Sequence, residues 1–445
     1  MYLFITLAVT LISFYIIKIL KKRKYIEKCL NKIPGPPPFL FLGNANDFFR
    51  GKDVLDVLVN YWKTYGSIVK IQFTPLRYGL VVTDYEFLKE FLLGNNNLTK
   101  SQIYKFTKVW LGEGVLTTPE EKWRNQRKIC APTFSNKVLV DFLSIFDDQS
   151  DILIDKIKQI TPVNSFDIHN YLSLCSLDIV CETIMGVSIH AQTNEHSDFV
   201  KSVKEMCEII IARSMKIWKH PNLLFMFSSE YRRQQKCLKI INSYTNQVIT
   251  SRKEYRANNP SEKSKQKSTL LDTLLEYSET EEVLKEQQLL DEVHTFMFAG
   301  HDTTSSAMEF VIYSLSKYPD VQRRAYEEQI SIFGDNLHKE VNIDDIQEMK
   351  YLEMVIKETI RLYTIVPVIS RLITKEFKFK NYVIPEGVTL TILLHGLHRN
   401  PELFPDPDVF NPSRFENATA IQPFSLYPSA LAQEIVLAKN MLFTK

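Results

Sequence analysis

The sequence predicts a mainly α-helical protein with a small β portion, tethered to a membrane by its first helix. Three observations carry this. Apolar residues recur at three- and four-residue steps over most of the chain, while period-two alternation is confined to a few short stretches. The first seventeen residues carry no charge, are mostly Leu, Ile, Val, Phe and Tyr, and run into a basic cluster. With 445 residues, 45% of them hydrophobic, the chain is long enough to bury a large core.

Taken in order, residues 1–20 read as one transmembrane anchor, because about 20 residues at ~1.5 Å each cover the ~30 Å hydrocarbon layer and Lys18 can snorkel to the interface. A cleaved signal peptide would carry a basic stretch before the apolar run and small residues after it, and neither is present. The positive-inside bias then places the rest of the chain in the cytosol, where the sequons at Asn97-Leu98-Thr99 and Asn417-Ala418-Thr419 stay unglycosylated. Residues 21–38 form a basic stop and a Pro-rich hinge, Ile33-Pro34-Gly35-Pro36-Pro37-Pro38, whose fixed backbone angles favour a stiff extended spacer. Residues 39–445 form the globular domain.

Within it, β signals fall at 68–73, 80–82, 377–379 and 383–393, with Pro385-Glu386-Gly387 as a turn. Helical patterns cover 50–64, 84–93, 119–130, 136–160, 167–184, 196–215, 228–255, 268–277, 283–317, 319–333 and 350–363. Residues 252–268 are polar and lysine-rich and read as a mobile surface connection.

Charge and cysteine usage exclude some functions. Net charge is +2, yet residues 18–28 alone carry +5, so the remainder sums to −3 and gives nucleic-acid binding little support. Six cysteines without C-x-x-C spacing fit reduced thiols, not a disulfide scaffold or structural zinc. His294 and His301 lack partners at ligand spacing and read as local hydrogen-bonders.

Four constellations can carry chemistry. In Glu292–Thr304, EVHTFMFAGHDTT, Gly300 lets a flat ligand or small gas approach the helix, and Asp302 beside Thr303 pairs an acid with a hydroxyl able to relay protons. The plainer alternative has Thr303 bonding back to the preceding turn and Asp302 simply exposed. Glu358 and Arg361, three apart in KETIRLY, share a helix face; if that helix is buried, both need full hydrogen bonding, and Arg414 in Asn411-Pro412-Ser413-Arg414-Phe415 can complete the set. Trp123, Arg124, Arg127 and Lys128 place an indole beside cations suited to a cofactor's carboxylates, or form a solvated basic face. Arg371 in VPVISR either points inward or is an ordinary loop arginine.

Taken in order, IPGPPP after an anchor, WRNQRK, AGHDTT, ETIR, the Arg371 region and NPSRF closely resemble the cytochrome P450 haem-thiolate monooxygenases, nearly the whole way to Phe415. EVHTFMFAGHDTT resembles family four, the branch that includes fatty-acid ω-hydroxylases. The resemblance implies the cytochrome P450 fold, membrane-anchored, and a haem cofactor. It implies insertion of one oxygen atom of O2 into a lipophilic substrate: a fatty acid, hydrocarbon, isoprenoid or foreign compound. Electrons come from NADPH through an NADPH-dependent cytochrome P450 reductase, at the endoplasmic reticulum membrane with the globular part facing the cytosol. By the same resemblance Asp302 and Thr303 guide protons, Ala299 and Gly300 line the distal face, and Trp123, Arg127 and Arg371 hold the haem carboxylates. Glu358, Arg361 and Arg414 form a buried structural charge network.

The chain departs from the family pattern in three places. Ala299 stands where many family-four members have a glutamate that esterifies to haem, so noncovalent haem is expected. His294 replaces the usual acid. After Pro423-Phe424-Ser425 the glycine-rich loop bearing the thiolate cysteine is skipped: Leu426-Tyr427-Pro428-Ser429-Ala430 comes next, and 432–439 already resembles the next helix. The last cysteine in the sequence is Cys237, so no metal ligand is assigned, and the expected fold is C-terminally incomplete. The expected alternative to a monooxygenase is a haem-poor, inactive pseudoenzyme, or the product of a shortened transcript or gene model.

Overall fold

The computed structural model describes residues 1–40, 42–49, 53–74, 76–94, 99–134, 140–160, 166–194, 197–259, 269–280, 285–334 and 340–416. Both expected sequons, most of the lysine-rich connection and the segment 423–439 lie wholly or partly outside them. The described chain is mostly helical with six short strands, in two compact units: residues 1–102 with 367–397, and residues 103–366 with the chain from His398.

The first unit is built on a four-stranded sheet, β1 (Ile68–Thr74), β2 (Arg77–Val82), β6 (Thr389–Leu393) and β3 (Val368–Leu372), in the order β1-β2-β6-β3. β2 runs antiparallel to β1 and parallel to β6, and β3 returns antiparallel to β6. β1, at the sheet edge, buries Ile68, Val69 and Ile71, whereas β2, flanked on both edges, is buried from Tyr78 to Val82. β4 (Phe377–Phe379) and β5 (Tyr382–Ile384) form a separate hairpin. β3 has no counterpart among the expected strands: its five residues show no clean alternation, and they become a strand because β6 offers a free edge.

The N-terminal helix, Tyr2–Leu30, does not stop at the basic cluster but carries it. Lysine and arginine are good helix formers, so nothing in 18–28 breaks the turn, and the helix ends at Asn31 ahead of the prolines. The Pro-rich run is packed along β1 and not free: Lys70 N–H donates to the Pro34 carbonyl at 2.8 Å, and the Asn44 amide bridges the Pro37 carbonyl and Gln72 N–H. Gly35 is required there, since a Cβ would stand 2.0 Å from the Lys70 carbonyl oxygen.

The second unit packs helices around the central helix Glu286–Lys317. This helix is continuous through Gly300 and the paired threonines, so the weak local preference there is overridden by burial. Its main neighbour is His169–Val180, buried at every residue from Leu172 onward, which continues into one π-turn, Cys181–Met185, closed by Gly186 at φ +66°. The apolar core runs through Leu177, Val203, Met206, Leu271 and Val293.

Candidate functional site

The central helix spends its hydrogen-bonding capacity unusually around Ala299–Ser306. Thr303 Oγ1 donates to the Ala299 carbonyl at 2.6 Å, Ser305 and Ser306 hydroxyls donate to the Asp302 carbonyl, and Ser176 from the neighbouring helix donates to the His301 carbonyl at 2.9 Å. Thr303 thus makes the backward bond of the plainer reading, and its oxygen keeps lone pairs to accept a further proton donor. Asp302 is half-buried, not simply exposed. Its charge reaches Cys207, whose thiol is pushed up to about 12 by burial and then by Asp302.

Gly300 has a measurable neighbour: a Cβ would lie 2.6 Å from Val180 Cγ2. The close approach that its missing side chain permits is that of the His169–Val180 helix. Ala299 is half-buried one residue earlier, and Phe298 packs its ring on Trp110 at 4.7 Å. His301 is buried and donates from Nδ1 to the Met297 carbonyl, a local hydrogen bond. Burial pushes the His294 imidazole down to about 4, so it is neutral at physiological pH.

The four residues of WRNQRK separate by face on the helix Glu120–Cys130. Arg124 turns to solvent and pairs with Glu120, and Lys128 is exposed. Arg127 sits with its guanidinium carbon 5.2 Å over the Trp123 ring, and Trp123 Nε1 is buried without an acceptor. A buried N–H left unpaired costs roughly 1–3 kcal/mol, and an anionic oxygen beside it would remove that cost.

A tie that the sequence did not reveal holds this helix. Asp291 and Glu292, both buried on the central helix, accept from the backbone N–H of Glu113 and Val115 at 2.8 and 3.0 Å. The Glu113 carbonyl in turn accepts from the Gln126 side chain at 2.8 Å, one turn from Trp123 and next to Arg127. Gly112 and Gly114 make room: a Cβ on either would stand 2.0 Å from the Asp291 carboxylate or 2.2 Å from Thr295 Oγ1. Two adjacent acids inside an apolar helical run, together with the Gly-Glu-Gly spacing, were the available signals.

Glu358, Arg361 and Arg414 come together. Arg361 grips Glu358 through two bonds of 2.7 and 2.8 Å with both side chains fully buried, and Arg414 Nε adds a third at 3.0 Å. Spare guanidinium N–H groups donate to the carbonyls of His398, Pro407, Pro405 and Val409, so each buried charge is satisfied. In the first unit Arg371 lies on β3, not in a loop: it is buried, donates from Nη1 to the Ser370 carbonyl, and leaves Nε without an acceptor.

Trp123 in the second unit and Arg371 in the first each therefore carry a buried donor without an acceptor. The sulfur chemistry differs. Burial pushes Cys175 to about 12 and Cys237 to about 11, and Cys181 well up, so with Cys207 these thiols are not poised as thiolates.

The profile of the family described as Cytochrome P450 matches residues 33–428. The chain is 34% identical to Cytochrome P450 4c3 of Drosophila melanogaster over 92% of its own length and 80% of that protein. It is 33% identical to Cytochrome P450 4c21 of Blattella germanica, covering 93% and 86%, and 34% identical to Cytochrome P450 4V2 of Homo sapiens, covering 85% and 74%.

Proposed function

Because the chain belongs to the cytochrome P450 family and is family-four-like, a haem monooxygenase in general, we propose that it oxidises a lipophilic substrate at the endoplasmic reticulum membrane. It takes electrons from NADPH through a membrane-bound reductase, with the globular part in the cytosol. Haem, when bound, supplies the oxygen-activating chemistry. The observation that carries the reading is the buried Trp123 indole N–H, which has no acceptor and lies beside the Arg127 guanidinium, a donor suited to a carboxylate oxygen. Arg371, with its own unmet Nε, has the same role in the first unit. Asp302 offers a half-buried acid on the central helix, and the Thr303 hydroxyl, its hydrogen directed to the Ala299 carbonyl, keeps lone pairs to accept from a further donor. The Asp291–Glu113–Gln126 tie keeps the Trp123 helix fixed to the central helix. The helix Tyr2–Leu30, long and apolar enough to cross a bilayer, supports the membrane assignment.

A second reading comes from the lack of any cysteine after Cys237. On that reading alone, the chain with this sequence retains haem poorly and is inactive unless a cysteine-bearing segment stands between Ser425 and Ala432. The reduced, carbon-monoxide-bound spectrum tests both. The unmodified chain is expected to show no thiolate-type band, and restoring a glycine-rich cysteine loop is expected to produce the band together with haem retention. A thiolate band from the unmodified chain sinks the second reading, and a folded, restored chain that still binds no haem sinks the first.

A further inference from the structure

The N-terminal helix has two unlike faces beyond its uncharged run. One is docked on the first unit: Ile26 and Leu30 are buried, and Glu27 accepts from Tyr78 at 2.5 Å and from Arg23 at 3.0 Å. At the boundary beside Lys18 the Tyr25 hydroxyl donates to Glu376 at 2.6 Å, and Lys22 pairs with Glu386 at 3.6 Å. On the other face Lys18, Lys21, Lys24 and Lys28 recur at steps of three, three and four, which aligns them in one stripe. All four are exposed, and among the described residues none is paired with an acid. A solvated stripe beside a docked face is ordinary in itself; here it continues, in the same unbroken helix, the segment read as membrane-spanning.

We propose that Lys18, Lys21, Lys24 and Lys28 form a recognition surface for anionic phospholipid headgroups, held in fixed orientation because the opposite face of their helix is docked. The proposal rests on the reading of residues 1–20 as a membrane anchor, whose uncharged part within the helix is 2–17. That run measures about 25 Å at 1.5 Å per residue, slightly short of the ~30 Å hydrocarbon layer, which brings Lys18 and Lys21 to the headgroup level. In an upright helix Lys28 stands roughly 15 Å beyond Lys18, past the Debye length of about 8–10 Å. A lean toward the lysine side lowers all four onto the headgroups. The buried anchors Ile26 and Leu30 lie on the side away from Lys21, Lys24 and Lys28, so the lean carries the stripe away from the buried contacts. Anionic lipid thus selects a direction of tilt as well as adding affinity.

The test uses the full chain in mixed micelles carrying pyrene-labelled phosphatidylserine or phosphatidylcholine, read by energy transfer from tryptophan. Phosphatidylserine is expected to bind more tightly, with the preference falling roughly fivefold per lysine lost and approaching unity in K18Q/K21Q/K24Q/K28Q. K236Q/K239Q/K253Q, which removes exposed lysines elsewhere, is expected to keep the preference. Preserved preference in the first variant, or equal loss in the second, overturns the assignment. Displacement by inorganic phosphate at equal concentration overturns the lipid as ligand. Ile26→Asp with Leu30→Asp undocks the helix face and is expected to weaken the preference; no change overturns the fixed orientation. Retention of wild type in phosphatidylcholine vesicles after an alkaline wash reports the membrane span separately, so its failure is distinguishable from failure of the stripe.

Discussion

At the scale of single residues, Gly300 and His294 make the sharpest claims. Gly300→Ala gains about 1 kcal/mol of helix preference but forces a Cβ to 2.6 Å from the stiff Val180 side chain, an overpacking worth about 1–3 kcal/mol. A net loss of roughly 1 kcal/mol is expected in urea unfolding, relieved when Val180→Ala is present in the same chain. Absence of coupling between the two sites would return Gly300 to a purely ligand-facing role. For His294, the folded imidazole titrates near 4 and the unfolded one near 6.5. Between those values the unfolded chain binds the extra proton, so stability present above pH about 6.5 falls as pH drops and levels off near 4. The loss amounts to roughly 3 kcal/mol. Replacing His294 with Gln removes this component; unfolding midpoints measured across that window with equal slopes in both proteins would refute it.

At the scale of elements, the helix Lys350–Leu362 stands or falls with its buried charges. Arg361→Ala leaves Glu358 short of its main partner in a fully buried site, and a loss of about 3–5 kcal/mol is expected in thermal or urea unfolding. Arg361→Lys is expected to fall well short of wild type, because one ammonium cannot reach Glu358 and the His398 and Pro407 carbonyls together. Arg323→Ala, which breaks an exposed pair with Asp320, should change stability by less than about 0.5 kcal/mol. The contrast explains what could be read from sequence. Helices such as Glu120–Cys130, Pro319–Phe333 and Lys350–Leu362 lay within a residue or so of their apolar period, and the three-residue spacing of Glu358 and Arg361 put them on one helix face without deciding between a surface pair and a buried one. β3 escaped notice because its strand character comes from β6. The Asp291 and Glu292 ties escaped it too, since their partners lie 178 and 177 residues away, beyond any local pattern.

At the scale of the whole molecule, the proposed membrane attachment has a second candidate surface. Besides the N-terminal helix, the second unit exposes Trp218, Leu223, Leu224, Met226 and Phe227 within ten residues, with Phe227 81% exposed. Apolar surface so concentrated is costly in water and favours a bilayer interface. Deleting residues 2–17 is therefore expected to leave residual, salt-insensitive binding to phosphatidylcholine vesicles, reduced several-fold by Leu223→Asp with Phe227→Asp. Complete release of the deleted chain in flotation would show that this patch contributes nothing.

The buried charge set also fixes an order of events during synthesis. Glu358 and Arg361 leave the ribosome before the carbonyls of His398, Pro407 and Val409 exist, and Arg414 comes 56 residues after Glu358. At about 5–20 residues per second, that interval lasts roughly 3–11 s. Throughout it, Glu358 and Arg361 have only each other and water, so the guanidinium N–H groups destined for buried carbonyls and the carboxylate oxygen destined for Arg414 hold their helix open to solvent, within reach of chaperones and proteases.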